Sequence, residues 1–296
     1  MSRLAETELP LSVALRSPRK LLLFQLGALG VLSLWLYWPV LVRLVRQWWL
    51  DPNFSHGFFV PLFAGFVLWQ ERDRLSRVAV RPAWTGLALV VFGLGVLIIG
   101  QLGAELFLAR SSLLFLAAGI IVLFLGWSFM RAVLFPWAFL FLMIPIPALI
   151  FNQVTFPLQL LASRLAAGAL ALLGVPILRE GNVINLPSMA LEVAEACSGI
   201  RSLMSLVTLA IIYAYLTEKR LWVGWVLALA SVPVAVIANS TRIVGTGLLV
   251  QYWDAEKAEG YFHASWGWII FVLSLALLYL LHALIRRIWP DPEARP

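Results

Sequence analysis

Asn152-Gln-Val-Thr-Phe-Pro-Leu-Gln-Leu-Leu-Ala-Ser-Arg-Leu-Ala-Ala-Gly-Ala-Leu-Ala-Leu-Leu173 is the stretch on which the fold turns. A helix needs about 20 mostly apolar residues to cross a bilayer, and this segment meets that length. Yet Asn152, Thr155, Gln159 and Ser163 recur at helical spacing, with Arg164 beside the last. Such a stripe fits a helix lying in the membrane interface. Around it lie eight other apolar runs, at 21–42, 57–69, 84–102, 112–127, 132–146, 199–216, 221–250 and 264–285. The run 57–69 is short, and 221–250 is long enough to tilt or break. Whether 152–173 spans fixes the side on which every later loop falls.

Loop charges decide between eight and nine spans. With a cytoplasmic N-terminus and eight spans, fourteen of the 22 Lys and Arg lie inside, among them Arg72, Arg74, Arg77, Arg81, Arg131, Lys219 and Arg220. A ninth span would move Lys219, Arg220, Arg286, Arg287 and Arg295 outside and erase the bias. The positive-inside rule therefore favours eight spans. The expectation is an all-α polytopic membrane protein with about eight transmembrane helices, a small outer hairpin and an interfacial helix. Residues 1–20 form a cytoplasmic tail, 21–287 a single transmembrane domain, and 288–296 a second cytoplasmic tail. The long outer connection 147–198 holds the interfacial segment and the hairpin, whose turns are Gly181-Asn182 and Pro187-Ser188 and whose short strands include Val183, Ile184, Leu191 and Val193.

Composition agrees. Of 296 residues, 62% are hydrophobic and 12% charged, too few charges to cover a soluble surface. That excludes an ordinary soluble enzyme and a disordered chain. The net charge of +7 reports cytoplasmic loops rather than nucleic acid. One cysteine allows no internal disulfide and no thiolate metal site. Three scattered histidines make a metal centre improbable, so no metal and no cofactor are expected.

The outer stretches carry the residues with chemistry. Cys197, in Glu195-Ala-Cys-Ser-Gly-Ile-Arg201, stands where the hairpin meets the run beginning at Gly199. A helix starting there would favour the thiolate by its dipole, and so would Arg201. The plainer alternative is a small buried Cys. Arg242 interrupts an apolar run, and an intramembrane Arg normally faces a polar cavity or a partner. Pairing with Glu192 or Glu195, or reaching for the surface, is its structural alternative. Asn239 precedes it by three residues, on the same helical face. His263, in Gly260-Tyr-Phe-His-Ala-Ser-Trp-Gly267, opens the last run and suits proton transfer, or else an aromatic interface belt. His56-Gly57 lies at the outer mouth of the short run, as substrate lining, helix cap or interface anchor. His282 falls at the cytoplasmic end and is expected to have no catalytic duty. A thiol, a guanidinium and an imidazole at the outer ends of three runs are the parts that acyl transfer through a thioester needs. None of the G-x-S-x-G, H-E-x-x-H, P-loop or G-x-G-x-x-G patterns is present.

Glu195-Ala-Cys-Ser-Gly-Ile-Arg-Ser202, Ala238-Asn-Ser-Thr-Arg242 and His263, in that order, resemble the exosortase/archaeosortase family, as does Phe54-Ser-His-Gly-Phe58 with Val60-Pro61 after it. The resemblance covers roughly residues 20–285. It implies a membrane cysteine transpeptidase or protease whose catalytic residues are Cys197, Arg242 and His263, with Arg201, Asn239, His56 and Glu195 in support. It also implies partners: secreted proteins with a C-terminal sorting tail of the PEP-CTERM kind, made of a short motif, a transmembrane helix and a basic cluster. The implied location is the bacterial inner membrane, with 147–198 and the active site facing the periplasm, in organisms that make extracellular polysaccharide. The competing expectations are a transporter or export component for polysaccharide or lipid-linked sugar, and a non-catalytic assembly scaffold. Either would tolerate loss of Cys197.

Overall fold

In chain order the helices are α1 (Pro18–Leu50), α2 (Phe59–Gln70), α3 (Arg72–Ser76), α4 (Thr85–Leu102), α5 (Leu106–Phe124), α6 (Trp127–Ala132), α7 (Leu134–Phe139), α8 (Ala148–Leu172), α9 (Gly199–Thr217), α10 (Leu221–Tyr252) and α11 (Tyr261–Ile288). Short 3-10 helices, Pro52–Phe58 and Leu140–Met143, precede α2 and follow α7. The computed structural model describes residues 18–187, 189–192, 199–252 and 261–290. Among these, α1, α4, α5, α8, α10 and α11 are long and apolar enough to cross a membrane. The chain is thus an all-α polytopic membrane protein.

Helices α4 and α5 form the tightest pair, and the sequence says why. Gly86, Gly93 and Gly100 recur every seven residues along one face of α4. A Cβ on Gly93 would stand 2.8 Å from the Leu116 backbone nitrogen, and one on Gly100 2.6 Å from that of Ala109. A Cβ on Gly86 would collide with the Leu123 backbone. Small residues at such a seam let two backbones approach where lipid gives no hydrophobic drive. Tyr37 of α1, fully buried, pins that helix to the pair, its hydroxyl 2.8 Å from Ser112 Oγ.

The run 132–146 is not one span. It folds as the end of α6, then α7 and a 3-10 helix. Pro136 has no N–H for the Ala132 carbonyl, and its ring crowds that carbonyl, so the helix breaks at Val133. Ile144, extended before Pro145, ends the element.

The segment expected to lie in the interface becomes α8, which packs along the C-terminal half of α10. Ala162, Ala166, Ala167 and Leu170 share a core with Val236, Ile243 and Val250. Its polar stripe is not turned to headgroups: Thr155 and Ser163 are buried and Gln159 half-buried, while Asn152 and Arg164 are exposed. The hydroxyls are satisfied inside the protein, Thr155 by the Phe151 carbonyl at 2.8 Å and Ser163 by that of Gly181 at 3.0 Å.

After α8 comes a three-stranded antiparallel sheet, β1 (Leu178–Glu180), β2 (Val183–Asn185) and β3 (Ala190–Glu192), in the order β1-β2-β3. It contains one strand more than the expected hairpin. Gly181, at φ 64°, makes the left-handed turn between β1 and β2. Buried Ile184 anchors the sheet in the core shared by α8 and α10.

The basic turns gather at one end of the bundle. Arg220 Nη1 donates to the Trp289 carbonyl at 2.6 Å, tying the α9–α10 turn to the end of α11. Within that turn, Arg220 also holds Glu218 at 2.8 Å. His282, placed at this end by sequence, bonds Tyr213 Oη at 2.7 Å and lies 3.3 Å from Glu218.

Candidate functional site

Arg242 and the described starts of two neighbouring helices can be compared in height along the bundle. Leu203, one turn into α9, lines a cavity of about 20 Å³ with Thr155 and Gln159 of α8 and Asn239 of α10. That volume holds about one water. Gly199 lies four residues before Leu203, so α9 begins about 6 Å farther out. Arg242 follows Asn239 by three residues on a helix running the opposite way, about 4.5 Å farther out. The start of α9 and Arg242 are therefore at nearly the same height.

The third helix joins them through a glycine. Arg242 Cζ and Nη2 each lie 3.8 Å from the point where a Cβ on Gly267 would stand. Gly267 in α11 comes four residues after His263, one turn along the same face. Arg242 is half-buried, and α10 continues ten residues beyond it to Tyr252, about 15 Å. The guanidinium is thus recessed below the C-terminal end of its own helix.

The described chain on either side of residues 193–198 can be followed. β1 leads from the outer end of α8 back to Gly181, whose carbonyl meets Ser163 in the middle of that helix. β3 is antiparallel to β2 and therefore runs inward alongside β1's direction, ending at Glu192 opposite Val183. Only six residues then separate Glu192 from Gly199. Cys197 and Glu195 belong to that link and lie outside the described residues. Arg201 is the third residue of α9 and His263 the third of α11.

Asn239 is 7% exposed, and its Oδ1 has no hydrogen-bond partner among the described residues. A buried amide oxygen normally accepts a hydrogen bond, so this one, three residues from Arg242, is placed to take a donor from beyond the described residues. Gly267 and the inward face of α8 escaped the sequence reasoning. The signals were present, as a glycine one turn after His263 and a polar stripe assigned to the wrong surface.

His56 comes from another part of the chain. It is buried in the 3-10 helix Pro52–Phe58, where its Nε2 donates to the Leu142 carbonyl at 3.2 Å. Burial pushes its imidazole below the ordinary histidine value, and the carbonyl pulls weakly the other way. Gly57 beside it must be glycine, because a Cβ would run into the Trp48 ring. Trp48 in turn donates to the Met143 carbonyl at 2.9 Å. These contacts lock the turn between α1 and α2 to the segment before α8, and the same turn packs against α9. Among the described residues no three His, Cys, Asp or Glu stand close enough to share a metal ion.

No curated protein and no solved structure is similar to the chain at a meaningful level. Residues 48–280, well over half of it, match the model of a family described as transmembrane exosortase. The span includes Cys197, Arg242 and His263. The protein belongs to the transmembrane exosortase family, as a multi-pass membrane transpeptidase of the exosortase kind.

Proposed function

We propose that the chain is a thiol transpeptidase or protease that cleaves C-terminal sorting signals of the PEP-CTERM kind at the periplasmic face of the bacterial inner membrane. The family acts on secreted proteins with C-terminal sorting signals. In the proposed reaction Cys197, as thiolate, attacks the scissile carbonyl. A C–S bond forms and the amide C–N bond breaks. The departing amine takes its proton from His263, and the thioester passes to water or another acceptor nucleophile, whose proton His263 accepts. Arg242 faces the developing oxyanion, where a fixed cation is worth most in a water-poor recess. Arg201 and the start of α9 favour the thiolate. Asn239 and Glu195 orient Arg242 and the link around Cys197, and His56 braces the turn behind α9. The tail helix of the substrate docks laterally from the lipid, with its motif at the outer surface.

The observation that carries this reading is the position of Arg242. Its guanidinium lies against α11 one turn from His263, at the height where α9 begins two residues after Cys197. The deciding experiment co-expresses the chain with a secreted protein bearing such a tail. Wild type should release a shortened product, and a mass-detected thioester should accumulate at Cys197 when the acceptor step is slowed. Normal processing by Cys197→Ala would sink the mechanism.

A further inference from the structure

A second polar cavity opens on the other side of the bundle. It measures about 410 Å³ and lies between Pro39, Val40 and Arg43 of α1, the end of α4 at Gly100 and Gln101, and Ala109 and Arg110 of α5. Among the described residues, none of α8, α9, α10 or α11 lines it. Arg110 is 4% exposed, and its Nε has no hydrogen-bond partner among the described residues. The opposing charge that acts on it is Glu105, whose carboxylate also accepts from the Phe107 amide at 3.3 Å. Arg43 and Gln101 are exposed at the rim. Two guanidiniums against one carboxylate leave a local charge of about +1. Ala104, in the turn joining α4 to α5, has a left-handed φ of 51°, a strained backbone for a residue with a Cβ. That turn sets the cavity wall at the outer ends of α4 and α5.

We propose that this cavity binds the phosphate of one anionic phospholipid from the outer leaflet, between Arg43 and Arg110. Guanidinium groups match phosphate oxygens in charge and geometry. Depth and flank select a lipid over free phosphate. The residues involved are the last of α4 and the first of α5, where headgroups meet the ends of spans. Leu106, which lines the same cavity, is an exposed apolar side chain suited to an acyl chain. Net charge selects an anionic headgroup, because the ammonium of a zwitterionic one would restore the positive charge that the phosphate neutralises. The inference does not rest on the chemistry assigned to Cys197.

The test is native mass spectrometry of the full chain in detergent, given phosphatidylglycerol, phosphatidylethanolamine or inorganic phosphate separately, with thermal stability read in parallel. Wild type should keep one phosphatidylglycerol, about tenfold more strongly than phosphatidylethanolamine. Arg43→Gln with Arg110→Gln should lose that adduct about tenfold. Arg43→Gln alone, at the exposed rim, keeps the test open if the double variant does not fold. Equal retention by wild type and Arg43→Gln would overturn the site. Stabilisation by inorganic phosphate equal to that by phosphatidylglycerol would overturn the lipid.

Discussion

The guanidinium of Arg242 lies 3.8 Å from the empty Cβ position of Gly267, on the helix that begins with His263 two residues from its start. That distance is ordinary van der Waals contact, so a methyl group fits without moving the arginine, whereas a larger side chain would occupy its place. Gly267→Ala should therefore process a sorting-tail substrate at near wild-type rate. Gly267→Leu should lower the rate about a hundredfold, the scale of losing one oxyanion donor, at unchanged protein level in the membrane. Product mass and an immunoblot of the chain measure the two. Equal activity of the two variants would separate Arg242 from the reaction.

Asn239 gives a prediction of opposite sign for stability and activity. Its buried Oδ1 has no partner among the described residues. Replacing an unsatisfied buried amide by an apolar group of similar size removes that cost, about 1 kcal/mol. Asn239→Leu should raise the melting temperature in detergent while slowing substrate processing. A residue kept for packing alone would lose both together.

Much of the architecture was legible because polar residues are conspicuous in a chain this apolar. Arg242 stood out as a cation inside a long apolar run, and Cys197 as the only thiol. The misreadings have physical causes. Periodicity placed the stripe Thr155–Gln159–Ser163 on a helix face but not which neighbour that face meets, and it meets α10. Pro136 was visible, yet hydropathy alone joined its surroundings into one span. The Tyr213–His282–Glu218 network was not legible. Its members are 69 and 64 residues apart, and each is unremarkable alone.

The seven-residue glycine spacing in α4 makes a stability prediction with an internal control. A Cβ at Gly93 or Gly100 would meet backbone atoms of α5, which cannot rotate away, whereas Gly95 has nothing within 4 Å. Gly93→Ala and Gly100→Ala should each destabilise the protein by about 1–3 kcal/mol, the usual cost of overpacking. Gly95→Ala should be neutral or slightly stabilising through helix propensity. Thermal unfolding of the three variants in one detergent reads the contrast, and equal melting temperatures would mean that α4 and α5 are not in backbone contact.

Glu218 links stability to pH. It follows the end of α9, has a buried side chain, and is held by Arg220, which lowers its pKa from 4.5 to about 2 against the opposing effect of burial. Hydrogen bonds from the Arg220 amide and His282 act in the same direction. A carboxylate whose folded pKa is depressed contributes stability that is complete above its unfolded value. That contribution is lost as pH falls through the folded value. The window is therefore from about 4.5 down to about 2. Glu218→Gln should lower the melting temperature at pH 7 and flatten its dependence between pH 4.5 and 2. Because α9 carries the link to Cys197 at its other end, loosening this anchor should also slow processing at neutral pH. Tyr213→Phe, which leaves the carboxylate and Arg220 in place, should keep most of the pH dependence. A Glu218→Gln variant with wild-type stability at pH 7 would show that the pair does not hold this end of the bundle.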